Sequence, residues 1–273
     1  MKSLQLSQIW IYPVKSMSGI PVTSASVRPK GLEYDRRWML IDEEGTFMTQ
    51  RVHPKMALFK TSLSEDGLKI HFHTDTLNVP INTTEGAVIQ SRVWNDPVVT
   101  QEVSPDHSRW VSERLGVSCR LVFFPEKNPR PVDPEYKIQD DHVSLADGYP
   151  FLIIGQASLD YLNSLLQHPL PINRFRPNFV FTGGEPHEED TWRNFVIGGN
   201  KFAGVKPCSR CIMTTIDQDK GEKGVEPLPT LARYRKVNNK IQFGQNVIAL
   251  EYGQVSVGDE ITVHTRQPEA ISI

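Results

Sequence analysis

Short apolar runs rich in β-branched and aromatic residues recur along the first half of the chain, with polar turn clusters between them. Leu6-Ser7-Gln8-Ile9-Trp10-Ile11-Tyr12 stops at Pro13; Trp38-Met39-Leu40-Ile41, Leu68-Lys69-Ile70-His71-Phe72, Ala87-Val88-Ile89 and Pro97-Val98-Val99 follow. Such side chains fit a pleated, half-buried surface, so each run predicts a strand. Asp42-Glu43-Glu44-Gly45 and Glu65-Asp66-Gly67 read as hairpin connections. Many short strands at this spacing predict a barrel or sandwich. Helical periodicity is rarer. Asp106 to Leu115 carries Trp110, Val111 and Leu115 at helical spacing and stops at Gly116. Ala157 to Leu166 places Leu159, Leu162, Leu165 and Leu166 on one stripe, and Pro227 to Arg235 forms a third helix with Pro229, Leu231 and Tyr234.

Between Pro125 and Asp141 no apolar period survives, and four prolines (Pro125, Pro129, Pro131, Pro134) interrupt the chain. A boundary is expected there, dividing the chain into residues 1–124, 125–265 and a short tail, 266–273. In the second part, Phe151–Ile154, Phe179–Phe181, Ile212–Ile216, Val247–Leu250 and Ile261–Val263 are predicted strands. The fold class expected is mainly β, of barrel type, with a few helices.

Composition narrows the function. Of 273 residues 38% are hydrophobic and 23% charged, with a net charge of −2, which is the balance of a soluble globular protein. It lacks the basic footprint of a nucleic-acid binder. No apolar segment has the length of a signal sequence or membrane span, so the cytoplasm is the expected compartment. Three cysteines, Cys119, Cys208 and Cys211, are too few and too odd in number for a disulfide framework.

Lys206-Pro207-Cys208-Ser209-Arg210-Cys211 is the sharpest local signal. A C-x-x-C pair is half a zinc site, a redox dithiol, or two inert buried thiols, and spacing alone leaves all three open. The context adds chemistry: Lys206 and Arg210 favour a thiolate, and Ser209 with Arg210 can hold an anion's oxygens. A β-branched run after the second cysteine suggests a loop feeding a strand. In Arg174-Phe175-Arg176-Pro177-Asn178, an extended backbone would put Arg174 and Arg176 on one face, where planar guanidiniums suit a phosphate or a heterocycle's carbonyl. Lys15, Ser16 and Arg36 place further cations and a hydroxyl at strand ends. Asp147, before Gly148, is a turn former on its own. The five tryptophans read as core or edge aromatics.

Together these segments resemble the MOSC family. Tyr12-Pro13-Val14-Lys15-Ser16, Asp35-Arg36, Ala146-Asp147-Gly148-Tyr149-Pro150-Phe151, Phe175-Arg176-Pro177-Asn178, Pro207 to Thr215, Phe243-Gly244-Gln245-Asn246 and Val257-Gly258-Asp259 occur in the order that family shows. The resemblance spans about Leu6 to Val263. It implies an N-terminal MOSC β-barrel domain followed by a MOSC domain, similar to bacterial YcbX-like proteins and the mitochondrial amidoxime-reducing component.

The resemblance implies a molybdenum cofactor, a molybdopterin whose metal takes Cys211 as its thiolate; Cys208 is not the ligand. It assigns Lys15, Ser16, Arg36, Arg176, Asn178, Ser209 and Arg210 to the pterin and its phosphate, and Asp147 to the open side of the metal. The activity implied is reduction of N–O bonds in small N-hydroxylated substrates: amidoximes, hydroxylamines and N-hydroxylated bases. No plant-type C-x4-C-x2-C run is present, so electrons are expected from a separate iron–sulfur or flavin protein. No nucleic-acid or membrane partner is expected. The alternatives are a sulfur or cofactor carrier using a Cys211 persulfide, and a β-rich binding module without a cofactor.

Overall fold

The computed structural model describes residues 3–65, 67–81 and 86–267. Asp66, at the tip of the second expected hairpin, and residues 268–273 of the expected tail lie outside the described residues. The chain is mainly β. Its first part forms β1 (Gln5–Ile11), β2 (Ile20–Val22), β3 (Ser24–Arg28), β4 (Gly31–Leu32), β5 (Trp38–Ile41), β6 (Lys60–Ser64), β7 (Gly67–Phe72), β8 (Asp75–Val79), β9 (Val88–Val93), β10 (Asp96–Glu102), α1 (Pro105–Leu115) and β11 (Arg120–Phe123). The second part forms β12 (Phe151–Gly155), α2 (Gln156–Ser164), β13 (Phe179–Thr182), β14 (Trp192–Ile197), β15 (Asn200–Ser209), α3 (Leu228–Tyr234), β16 (Lys236–Val237), β17 (Lys240–Ala249), β18 (Gln254–Ser256) and β19 (Ile261–Arg266).

The largest sheet among the described residues runs β19-β14-β15-β17-β12-β13-β1-β2, with β16 appended to β17. Its pairs are antiparallel except β12 with β13. The N-terminal strand β1 therefore sits inside a sheet built by the second half, pairing with β13 through Leu6↔Phe181 and Ile9↔Phe179. Leu6, Ile9, Phe151, Phe179, Phe181, Trp192, Phe202 and Val247 fill the core behind it. A second core, with Trp38, Leu40, Met56, Phe59, Leu68, Val111 and Leu121, lies under β5–β7 and α1. Helix α1 begins at Ser104, whose side chain accepts from the His107 amide, and ends at Gly116 with φ 81°; glycine takes that left-handed conformation without a Cβ penalty.

Two local expectations are corrected. Ile212–Thr215 is a 3-10 turn, not the start of a strand. The Thr214 and Thr215 hydroxyls donate back to the carbonyls of Cys211 and Ile212 at 3.0 and 2.8 Å, a local bonding mode that competes with a sheet ladder. The cysteine segment therefore leaves a strand, β15, rather than feeding one. Helix α2 stops at Ser164 because the Asn163 side chain bonds both the amide and the carbonyl of Leu170, which leaves Leu165 48% exposed. The proline-rich segment 125–141 holds no helix or strand, yet Arg130 within it is buried. Arg130 donates to the carbonyls of Ser144, Ala146 and Asp147 at 2.7, 2.5 and 3.2 Å, so this segment braces the loop that carries Asp147.

Candidate functional site

The nine residues that the family resemblance assigns to the site line one cavity: Lys15, Ser16, Arg36, Asp147, Arg176, Asn178, Ser209, Arg210 and Cys211. They arrive on five separate segments. Lys15 and Ser16 follow β1, Arg36 precedes β5, Asp147 precedes β12, Arg176 and Asn178 precede β13, and the cysteine segment closes β15. Ser16, Arg36 and Arg176 adopt positive φ of 66°, 49° and 56°. Non-glycine residues rarely do so, and such conformations persist where surrounding structure holds them, often at functional sites.

The cations are held from beneath. Asp35, fully buried, accepts from the Tyr12 amide at 2.8 Å and from Arg36 Nη1 at 2.6 Å. Both Arg36 and Arg176 stand over the Tyr12 ring, 4.3 and 4.2 Å from its centroid. Asn178 Oδ1 accepts from Arg36 Nη1 at 3.2 Å. Arg176 Nη1 donates to Met17 O at 2.6 Å, and Arg210 Nη2 to Phe175 O at 2.7 Å. Burial, then the neighbouring Arg36, push the Arg176 guanidinium down to about 10.

Several donors at this cavity have no partner within the protein. Ser16 Oγ, Arg176 Nη2 and Arg210 Nε are buried and unbonded, and each belongs to a residue lining the cavity. Buried donors are normally satisfied, so three orphans around one cavity define a demand for acceptor oxygens. Phe151, Leu152, Phe175 and Met213 supply apolar wall beside them, as a flat heterocycle requires.

Asp147 accepts from Lys15 Nζ at 2.5 Å and lies 3.6 Å from Arg51 Nη1. Burial works to raise its carboxyl, but the Lys15 and Arg51 charges outweigh it and hold the group well below the usual carboxylate range. Lys15 is pushed down to about 8 by burial, against the opposing pull of Asp147. Cys211 is exposed, whereas Cys208 is half-buried. Among the described residues no three His, Cys, Asp or Glu side chains cluster as a metal site. A closed four-ligand zinc site is thus not built here, and a metal at Cys211 would bring most of its ligands with it.

Two expectations about the cations change. Lys206 does not reach the cysteines; it stands 3.9 Å over the Tyr136 ring and 5.0 Å over Tyr149. Arg210 Nη1 contacts Cys208 Sγ at 3.0 Å. The cation beside Cys211 is Arg51, with Nη1 3.6 Å from Sγ. Arg174 and Arg176 do not share a face, because Ile172–Arg174 is a 3-10 turn and Arg176 follows in the left-handed region. Arg174 pairs with Asp217 instead. Sequence reading missed Arg51 and its neighbour Trp94, which is 48% exposed and has its ring centroid 4.5 Å from the guanidinium; Thr49-Gln50-Arg51-Val52 carries no local signal that would have found it.

A barrel-type β-fold with a single exposed thiol at the rim of a guanidinium-lined cavity defines the class, and comparison with known proteins places the chain within it. Residues 3–118 match the MOSC N-terminal beta barrel domain and residues 140–262 the MOSC domain. The chain belongs to the MOSC-domain family. It is 35% identical over 277 residues to the Homo sapiens mitochondrial amidoxime-reducing component 1, covering 94% of this chain and 82% of that protein. The Mus musculus protein of the same name is 34% identical over 275 residues, covering 94% and 81%. The Arabidopsis thaliana molybdenum cofactor sulfurase is 30% identical over 295 residues, which is 94% of this chain but 35% of that protein. No helix among the described residues is long and apolar enough to cross a membrane.

Proposed function

We propose that this protein is a molybdenum-cofactor oxidoreductase that reduces N–O bonds of N-hydroxylated substrates, with electrons delivered by a separate protein. The observation that carries the reading is the set of three buried, unpartnered donors on Ser16, Arg176 and Arg210 around the cavity that opens at Cys211. The similarity to amidoxime-reducing components supports the reaction class. Lys15, Arg36, Arg176 and Arg210, with Ser16, Ser209 and Asn178, would hold the phosphorylated pterin, and the Cys211 thiolate would bind its metal. When bound, the cofactor supplies oxygen-atom acceptance and two-electron redox chemistry.

The protein's own groups then have defined tasks. Asp147 is ionised at neutral pH, so its oxygens accept a hydrogen bond and orient a substrate N–OH or N–H. Lys15, at about 8 and held by Asp147, is the group that would give one proton to the substrate oxygen as it leaves as water, with solvent supplying the other. Arg51 spans Asp147 and the Cys211 sulfur and fixes their relative position.

The test is metal and pterin analysis of protein made in a host that synthesises the cofactor, followed by benzamidoxime turnover with an artificial electron donor. Equimolar molybdenum and pterin, loss of molybdenum in Cys211→Ala and loss of turnover with it are expected. Retention of molybdenum by Cys211→Ala would overturn the assignment. The similarity to molybdenum cofactor sulfurases keeps a second reading, sulfur or cofactor transfer, which predicts extra sulfur on Cys211 by intact mass and no turnover with any donor.

A further inference from the structure

A second cavity lies on the other side of the Arg36–Trp38 segment and shares no lining residue with the first. Its volume is about 460 Å³, within the range of small-molecule sites. Two of its lining residues are buried cations, Lys30 at 7% and Arg37 at 6% exposure. Lys30, in the turn between β3 and β4, donates to the carbonyls of Glu126 and Asn128. Arg37 donates to Phe124 O at 2.7 Å. Buried cations are normally matched by buried anions, but these two share one carboxylate, Glu126. Its Oε2 lies 2.7 Å from Arg37 Nη2 and its Oε1 3.9 Å from Lys30 Nζ, while the side chain is 66% exposed. The other acid among the described residues lining the cavity, Glu33, pairs with Arg28.

Among the described residues lining the cavity, Arg28, Lys30 and Arg37 meet two acids, Glu33 and Glu126, and the one that Lys30 and Arg37 share stands in solvent. Part of the wall is aromatic: Trp38, Phe123 and Tyr34 line the same space, with the first two ring centroids 5.4 Å apart and the Arg37 guanidinium 5.9 Å from the Phe123 centroid. We propose that this cavity is a second binding site, for a small monocarboxylate with a flat apolar body, and that Glu126 is a self-ligand which such an anion displaces. The Glu126 carboxylate already shows which group the Arg37 fork accepts, and the aromatic wall sets the shape of the rest. The site needs no metal and no pterin, so it is independent of the Cys211 chemistry.

Calorimetric titration of the purified protein with phenylacetate tests this, with 2-phenylethanol as the neutral isostere. One phenylacetate per chain at sub-millimolar affinity and no measurable 2-phenylethanol binding are expected. Glu126→Gln, with folding checked by circular dichroism, removes the competing carboxylate and should tighten phenylacetate by about two- to fivefold, the scale of an exposed ion pair. Arg37→Gln should weaken it by about tenfold or more, as loss of a charged hydrogen bond implies. Equal binding of 2-phenylethanol, unchanged or weaker binding by Glu126→Gln, or no phenylacetate binding below the millimolar range would each overturn the proposal.

Discussion

Replacing Arg176 by methionine should make the cofactor-free protein more stable and less able to hold an anion. The side chain is 8% exposed, its Nη2 has no partner, and its charge faces that of Arg36. The guanidinium is pushed down to about 10, chiefly by burial and next by Arg36. That displacement corresponds to about 3 kcal/mol of cost for keeping the group charged inside the fold. Methionine retains the unbranched apolar stem and sheds the charge. It forfeits the bond to Met17 O, worth about 1 kcal/mol, and the contact with Tyr12, worth about 0.5–1 kcal/mol. The left-handed φ of 56° burdens both side chains alike. The net is a gain of about 1 kcal/mol, or a rise of about 2–4 °C in Tm for a chain of this size. Differential scanning calorimetry on protein from a host unable to make the pterin measures it. Added phosphate should stabilise the parent and leave Arg176→Met largely unmoved. A fall of several degrees in the variant without anions would refute the reasoning, because the arginine would then be contributing to the empty fold.

Three further perturbations probe other parts of the molecule. Burial, then Asp190, raise the fully buried Glu189 carboxyl from 4.5 to about 7; the folded protein thus keeps a proton that the unfolded chain releases, and stability falls as pH rises through that window. Glu189→Gln should flatten the fall, read as the difference in Tm between pH 5 and pH 8, and an unchanged pH slope would count against it. Lys15 loses its charge as pH rises through about 8, so phosphate binding at the cavity should weaken above that pH in the parent and show no such step in Lys15→Gln; binding that stays flat to pH 10 would contradict this. A Cβ at Gly19 would lie 2.4 Å from Tyr12 Cε1, and that ring is fully buried with Arg36 and Arg176 over it. Gly19→Ala should therefore cost about 1–3 kcal/mol in urea unfolding and weaken anion binding, whereas a neutral result would mean that Tyr12 is free to shift.

The strand most plainly written in the sequence is the one buried on both faces. β5 is Trp38-Met39-Leu40-Ile41 with every residue buried, so the apolar run and the strand coincide. β14 and β15 were missed for the opposite reason. Trp192–Ile197 carries Arg193 and Asn194 on its exposed side, and β15 contains Gly204, Lys206 and Pro207, residues with little strand preference. β15 exists because β14 and β17 pair with it on both sides, information that no local window holds.

The site divides along the same line. Residues that belong to contiguous motifs, such as Asp35-Arg36 or Ser209-Arg210-Cys211, were legible as parts of the ordered segments that carry the family resemblance. Arg51 was not, since only the fold brings it to Asp147 and Cys211. The arginines at 174 and 176 show how backbone geometry decides chemistry that composition leaves open. An extended strand would have turned both toward the anion. The 3-10 turn at Ile172–Arg174 sends the first to Asp217 and, at 3.5 Å, to the carbonyl of Thr214. Arg174 thereby braces the turn that begins at Cys211, and the left-handed backbone at Arg176 delivers the second guanidinium to the cavity. One arginine braces the turn after Cys211 while the other lines the cavity, a division set by two φ/ψ choices rather than by residue type.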